Sequence, residues 1–223
     1  MKQGYFITGT DTGVGKTLVS AGMMALLKSR GLRVGGMKPV AAGAQQTKSG
    51  LRNEDAELLL SMASVKTDYS LVNPYLFEPP IAPHIAAEET AQTISLEIIK
   101  DSFDQLSQQA DCVVVEGAGG WLVPLNDQLS MANLAQQLGL PVILVVGLKL
   151  GCINHALLTA EKIMADGCVL AGWVANQIDP DMQCVQENIQ SIQKRIPSEL
   201  LGFIPYQSTV KPDEVAQFIT LKD

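Results

Sequence analysis

This chain of 223 residues has no apolar run long enough to cross a membrane. The longest, about Leu138 to Leu148, is broken by Gly139, Pro141 and Gly147 and falls short of the roughly 18–20 residues a spanning helix needs. It has no basic surplus either. Lys and Arg number 16 against 23 Asp and Glu, a net charge of −7, which leaves no electrostatic footprint for nucleic acid or an anionic membrane. Close cysteine pairs are absent. Cys112, Cys152, Cys168 and Cys184 have neither zinc-site nor redox-dithiol spacing, so a reducing cytoplasm is the expected location. The first residues lead straight into an expected strand, leaving no room for a signal peptide. No internal repeat or low-complexity segment stands out.

Apolar residues make up 47% of the chain, which excludes a disordered polymer, and 223 residues suit one domain over 1–223 with a sizeable core. Near-continuous apolar runs alternate with helical segments, the pattern of parallel strands buried on both faces. Strands are expected at Tyr5–Thr8, Arg33–Val40, Cys112–Val115, Val142–Val146, Val169–Ala175 and Leu201–Ile204. Helices are expected at about Leu18–Ser29, Asn53–Ala63, Ser95–Gln109, Met131–Leu138, Asn154–Ala165, Gln183–Arg195 and Asp213–Leu221. A polar loop is expected between Ala41 and Arg52. The stretch from Asp68 to Glu89, with Pro74, Pro79, Pro80 and Pro83, reads as a long irregular connection that could close over a site. The expected fold is an α/β, three-layer, doubly wound and mostly parallel sheet with its site at the carboxyl ends of the strands.

The strongest chemical signal is Gly9-Thr-Asp-Thr-Gly-Val-Gly-Lys16-Thr17 between the first strand and the first helix. Such a loop points backbone N–H groups at an anion, and the helix dipole favours its charge. Lys16 would reach the terminal phosphates, and Thr17 would ligate Mg²⁺. The first glycine is Gly9 where the common spacing puts it at Thr10, so the loop is one residue longer than usual. This is a nucleotide-binding P-loop.

Glu116 closes Cys-Val-Val-Val-Glu and precedes Gly117, Ala118, Gly119 and Gly120. At the carboxyl edge it would supply the carboxylate that Mg²⁺ requires; otherwise it is a solvated acid beside a tight turn. Asp55, in the first turn of a helix, either joins that metal or merely complements the helix dipole. Lys38 ends the second strand, where a second ammonium suits a phosphoryl-transfer site; the alternative is a solvated lysine. Thr12 could donate to a substrate oxygen or fix the turn. The helix start at Gly151, Cys152 and Asn154 lacks acids and could hold a carboxylate, although Asn154 could equally be a plain cap. Asn176 could pair with adenine's donor and acceptor edge or only form a turn, and Pro205 and Tyr206 end the last strand beside it. His84 and His155 have no metal or nucleophile partner and read as structural.

Several motifs occur in order: the extended phosphate loop, Lys38-Pro39-Val40, Gly50-Leu51-Arg52-Asn53-x-Asp55-Ala56, Val72-Asn73-Pro74, Pro83-His84, Glu116-Gly117-Ala118-Gly119-Gly120 and Gly151-Cys152-Ile153-Asn154-His155-Ala156. Together they resemble the dethiobiotin synthetase family of biotin biosynthesis over most of the chain, more weakly after about Asp179. The resemblance implies a P-loop nucleoside triphosphate hydrolase fold. It also implies ATP-dependent closure of a cyclic urea on 7,8-diaminononanoate with carbon dioxide.

By the family's pattern Lys38 and Thr12 contact the carbamate, Lys16 the phosphates, and Thr17, Asp55 and Glu116 serve Mg²⁺. Gly13, Val14, Gly15, Lys16, Thr17 and Leu18 would line ATP, with Glu116, Gly117, Ala118 and Gly119. So would Asn176 and Gln177, and Pro205, Tyr206 and Gln207. Gly151, Cys152 and Asn154 would hold the substrate carboxylate from the neighbouring subunit of a homodimer. Two departures stand out: Ala42 where the family often has a hydroxyl, and Gly13 where some relatives have an acid. Switch-type ATPases of the partitioning or metal-delivery kind share this start but carry a lysine early in the loop, where this chain has Asp11.

Overall fold

The computed structural model describes residues 4–221. In chain order the elements are β1 (Gly4–Gly9), α1 (Lys16–Ser29), β2 (Val34–Met37), β3 (Val40–Ala42), β4 (Gln45–Thr47), β5 (Gly50–Arg52), α2 (Glu54–Met62), α3 (Tyr69–Val72), β6 (Tyr75–Phe77), α4 (Pro83–Glu89), α5 (Leu96–Gln109), β7 (Cys112–Gly120), α6 (Met131–Leu138), β8 (Val142–Leu148), α7 (Cys152–Ala165), β9 (Leu170–Gln177), α8 (Val185–Gln193), β10 (Leu200–Ile204) and α9 (Pro212–Ala216). Six strands form a sheet in the order β10-β9-β8-β1-β7-β2, and all its neighbours are parallel. No described helix is long and apolar enough to cross a membrane.

Strand side chains alternate between two cores because successive Cβ atoms point to opposite faces. Phe6, Val113, Val115, Leu144, Val146 and Trp173 pack under α5, α6, α7 and α8. Ile7, Val114, Ile143, Val145 and Val174 pack under α1, α2 and α9. Both faces are therefore covered, which is why these strands carry almost no polar residues. The order reverses at β1, which lies between β7 and β8. The crevice outside the carboxyl ends there is where such sheets bind ligands, and the phosphate loop leaves β1 into it.

Four expectations need correction. The strand expected at 33–40 is split, because Pro39 has no N–H to continue a ladder; β2 stays in the main sheet and β3 pairs with β6. The polar loop at 41–52 contains the antiparallel hairpin β4–β5. The proline-rich stretch is not irregular: it holds α3, β6 and α4, with Pro83 at the start of α4, where its missing N–H costs nothing. The terminal helix stops at Ala216, and the chain then bridges back to β10 through Gly202 and Ile219.

Candidate active site

Two cavities lie at the carboxyl edge. The larger, about 690 Å³, is lined by Thr12, Gly13, Gly15, Lys16, Thr17, Lys38, Asp55, Glu116, Ala118 and Gly119, together with Val40, Ala41, Ala42, Asn53, Val123 and the segment Pro80–Pro83. The smaller, about 200 Å³, is lined by Leu18, Asn176, Gln177, Ile178, Ile204, Pro205, Tyr206, Gln207 and Val210. Residues expected around ATP thus separate into a polar chamber at the loop and a second hollow at the ends of β9 and β10. Leu18, one turn into α1, lines the second while Thr17 lines the first.

The phosphate loop is held from below. The Thr10 N–H donates to the Val145 carbonyl at 3.0 Å. Val14 is fully buried; its side chain anchors the loop to the sheet, so only its backbone can face a ligand. One amide proton of Asn176 goes to the Val14 carbonyl at 2.8 Å. Asn176 therefore clamps the loop, a role its position at a strand end did not reveal. Gly15 caps α1 in the left-handed region at φ 89°, where a side chain is strained.

Lys16 is buried, and its ammonium donates to the Asp11 carbonyl at 2.9 Å. Burial first, and the Lys38 ammonium second, draw its pKa down to about 8. Unfolded Lys16 holds its proton up to the ordinary lysine value, so its burial opposes folding fully below about pH 8 and is relieved as pH rises from there. Bound phosphates would return the pKa upward. ATP binding at about pH 8.5 is thus expected to take up more than about half a proton. Titration calorimetry in buffers of different ionisation enthalpy reads this uptake, and Lys16→Met should abolish it.

Lys38 and Glu116 are the deepest charges. Lys38 is 5% exposed and Glu116 fully buried. The Lys38 ammonium lies 2.5 Å from Glu116 Oε1 and 2.8 Å from Asp55 Oδ2. Burial pushes the Lys38 pKa down, but the two carboxylates outweigh it and the net shift is upward. For Asp55, burial raises and Lys38 lowers, with the net downward. Neither solvated-residue alternative holds for Lys38 or Glu116. Glu116 is not at a strand exit, because β7 continues four residues beyond it to Gly120. Its desolvation is offset by Lys38 and by the Thr17 hydroxyl, which donates to Oε1 at 3.0 Å. Oε2 is buried and has no hydrogen-bond partner among the described residues.

That orphaned oxygen, the Thr17 hydroxyl and Asp55 are hard oxygen donors on one wall, a set that fits Mg²⁺. No cluster of three His, Cys, Asp or Glu occurs among the described residues, but Mg²⁺ commonly takes one or two carboxylates and keeps waters. Thr12 is exposed at the cavity mouth. Gly117 backs onto Phe6 rather than lining the cavity.

Gly151, Cys152 and Asn154 line neither cavity of their own chain. Cys152 is buried, while Asn154 is exposed at the start of α7, whose cap Gly151 has φ 92°. Beside them Leu150 is 97% and Leu158 59% exposed. His84 is half-buried and His155 exposed; neither lines either of the two cavities.

Sequence reasoning gave no role to Asn53, Tyr69, Asn73 and Lys149. Asn53 is the buried cap of α2 and accepts from the N–H groups of Asp55 and Ala56. Asn immediately before two acids was a readable signal for that. Lys149 pairs with Asp11 at 3.3 Å, a contact between loops 138 residues apart that no local pattern announces.

The sheet order, the phosphate loop and the buried Lys16 define a P-loop nucleoside triphosphatase fold. The chain matches the AAA domain family over residues 3–214. Solved structures of the same fold include the MinD cell division protein of Aquifex aeolicus (TM-score 0.59, 17% identity, covering 96% of this chain and 86% of that one). Another is the ParA family ATPase of Chlorobium tepidum TLS (0.58, 15%, 93% and 86%). Sequence narrows this further. The chain is 50% identical to the ATP-dependent dethiobiotin synthetase BioD of Cellvibrio japonicus over 99% of its own length and 96% of the relative's. It is 50% identical to the protein of the same name from Nitrosospira multiformis, over 92% and 89%. The chain belongs to the dethiobiotin synthetase family.

Proposed function

We propose that this chain, acting as a single-domain ligase over 1–223, makes dethiobiotin from 7,8-diaminononanoate, carbon dioxide and ATP. The observation that carries the reading is the pairing of the extended phosphate loop with the buried Lys38–Glu116–Asp55 cluster in one cavity, in a chain half identical to named dethiobiotin synthetases. One amine of the substrate adds to carbon dioxide and loses a proton, giving a carbamate. A carbamate oxygen attacks the γ-phosphorus and ADP leaves. The second amine then attacks the carbonyl carbon of the mixed anhydride, phosphate departs, and the ureido ring closes.

Phosphoryl transfer needs positioning and charge stabilisation more than covalent help. The loop N–H groups from Gly13 to Thr17 hold the phosphates, and Lys16 compensates charge on the terminal one. Leu18, Asn176, Gln177, Pro205, Tyr206 and Gln207 enclose the base, while Glu116, Ala118 and Gly119 line the phosphate chamber. Thr17, Asp55 and Glu116 would hold Mg²⁺, which supplies Lewis-acid neutralisation of phosphate charge when bound. Lys38, at the wall between the carboxylates and the open cavity, orients the carbamate with Thr12. Ala42 lines the same cavity, so the missing hydroxyl leaves an apolar patch where many relatives could donate.

The exposed Leu150 and Leu158 beside Gly151, Cys152 and Asn154 support a homodimer in which this helix start reaches the partner's substrate carboxylate. The ion pair between Asp11 and Lys149 stands where a switch-type ATPase would carry a lysine, and it disfavours that rival. Purified protein given ATP, Mg²⁺, bicarbonate and the diamine should form dethiobiotin detectable by mass spectrometry. Folded protein that hydrolyses ATP at a rate indifferent to the diamine would sink the reading.

A further inference from the structure

A closed hydrogen-bonded circuit runs behind the charged cluster. Lys38 is gripped through its backbone: its N–H donates to the Val72 carbonyl at 2.8 Å, and its carbonyl accepts from the Asn73 amide at 2.7 Å. The same amide donates to the Tyr75 carbonyl at 3.0 Å. On the other side Asp55 hangs from the start of α2, whose first turn is capped by the Asn53 side chain. A single hydroxyl joins the two halves. Tyr69 Oη accepts from the Asn53 N–H at 2.9 Å and donates to Asn73 Oδ1 at 3.1 Å. The circuit closes in front where the Lys38 ammonium meets Asp55 at 2.8 Å.

Asn73 follows Tyr69 by four residues across the one-turn helix α3, the spacing that brings side chains together on one face. The Tyr69 ring is itself seated under the Arg52 guanidinium, 4.2 Å from its centroid. Asn53 and Asn73 are buried, so each group the phenol serves would be left unsatisfied without it.

We infer that Tyr69 is a positioning residue: through Asn73 and Asn53 its hydroxyl sets the Lys38 ammonium against Asp55. It lines neither of the two cavities. Its effect arises because Lys38 and Asp55 sit on separate elements, β2's end and α2's start, with no backbone ladder between them. An ammonium shared by two carboxylates works only if the two elements keep one separation, and small misplacements in such sites cost rate steeply.

The test compares Tyr69→Phe with Tyr75→Phe. The second variant removes a similar hydroxyl, which accepts from the Ser95 N–H at 2.9 Å, and lies outside the circuit. Lysine acylation by an activated acetate ester, followed by peptide mapping, reads the exposure of Lys38, with Lys16 as internal reference. Lys38 should be protected in the parent protein and in Tyr75→Phe, and label about ten-fold faster in Tyr69→Phe through local opening. In the same variant kcat should fall about ten-fold while the KM for ATP stays within about two-fold. Unchanged Lys38 labelling in Tyr69→Phe overturns the inference, as does an equal rise in Tyr75→Phe. So does faster labelling with unaltered kcat. The turnover arm rests on the proposed reaction. A parent protein inactive on the diamine would reject that reaction, while the labelling would still decide the positioning.

Discussion

Lys38→Ala should lower dethiobiotin formation by on the order of 10²–10³, the usual loss when one preorganised donor to a developing charge is removed. It should also destabilise the metal-free protein. Glu116 is fully buried and its Oε1 accepts, among the described residues, from Lys38 and Thr17. Removing one partner of a buried pair leaves an uncompensated charge, typically costing about 3–5 kcal/mol. The two effects separate in the double variant Lys38→Ala/Glu116→Gln. Neutralising the carboxyl removes the orphaned charge, so urea unfolding in the presence of a chelator should recover much of the loss. Turnover should not recover, because the ammonium is still missing and the amide offers no carboxylate to a cation. Near-parental turnover in Lys38→Ala would remove the residue from the mechanism. A single variant as stable as the parent would show that the buried pair adds nothing to stability.

That buried pair also marks how far the sequence could be read. Glu116 and Lys38 were both recognisable as carboxyl-edge residues, because each follows a near-continuous apolar run. Their burial was not, since the two residues that pair lie 78 residues apart in the chain. The six main strands were legible because both faces are covered and nearly every position is apolar. The three-residue strands β3 and β6 were not. They pair with each other across more than thirty residues, and each is too short for any periodicity and follows a proline, Pro39 or Pro74, that reads locally as a breaker.

The candidate site shows the same division. Residues contiguous with a motif, such as Gly13 to Leu18, came with it. Asn176 was legible only as a polar strand end, and its work on the Val14 carbonyl depends on β9 lying two strands from β1. Tyr69 and Asn73 carry no catalytic signature, because their hydrogen bonds go to backbone groups and to each other.

The clamp on the phosphate loop sets up a graded pair of substitutions. Gly13 and Gly15 both have left-handed backbones, at φ 74° and 89°. An added Cβ at Gly13 meets nothing within 4 Å, whereas at Gly15 it falls 2.2 Å from Asn176 Nδ2. Gly13→Ala therefore carries backbone strain alone, about 1–2 kcal/mol. The loop can relax out of the strained shape when empty, so ATP must restore it on binding. Affinity should drop about 5–30-fold, since about 1.4 kcal/mol is tenfold. Gly15→Ala adds displacement of Asn176 and loss of its bond to the Val14 carbonyl, a further roughly 0.5–1.5 kcal/mol. Its affinity loss should then approach about 10–400-fold. Removing the obstacle in Gly15→Ala/Asn176→Ala should restore little, because the strain persists and the clamp is gone. Titration calorimetry with ATP measures all three. Equal losses at the two glycines would mean that Asn176 adds nothing to the loop's shape, and full recovery in the double variant would mean that collision alone, not the clamp or the backbone, governs the site.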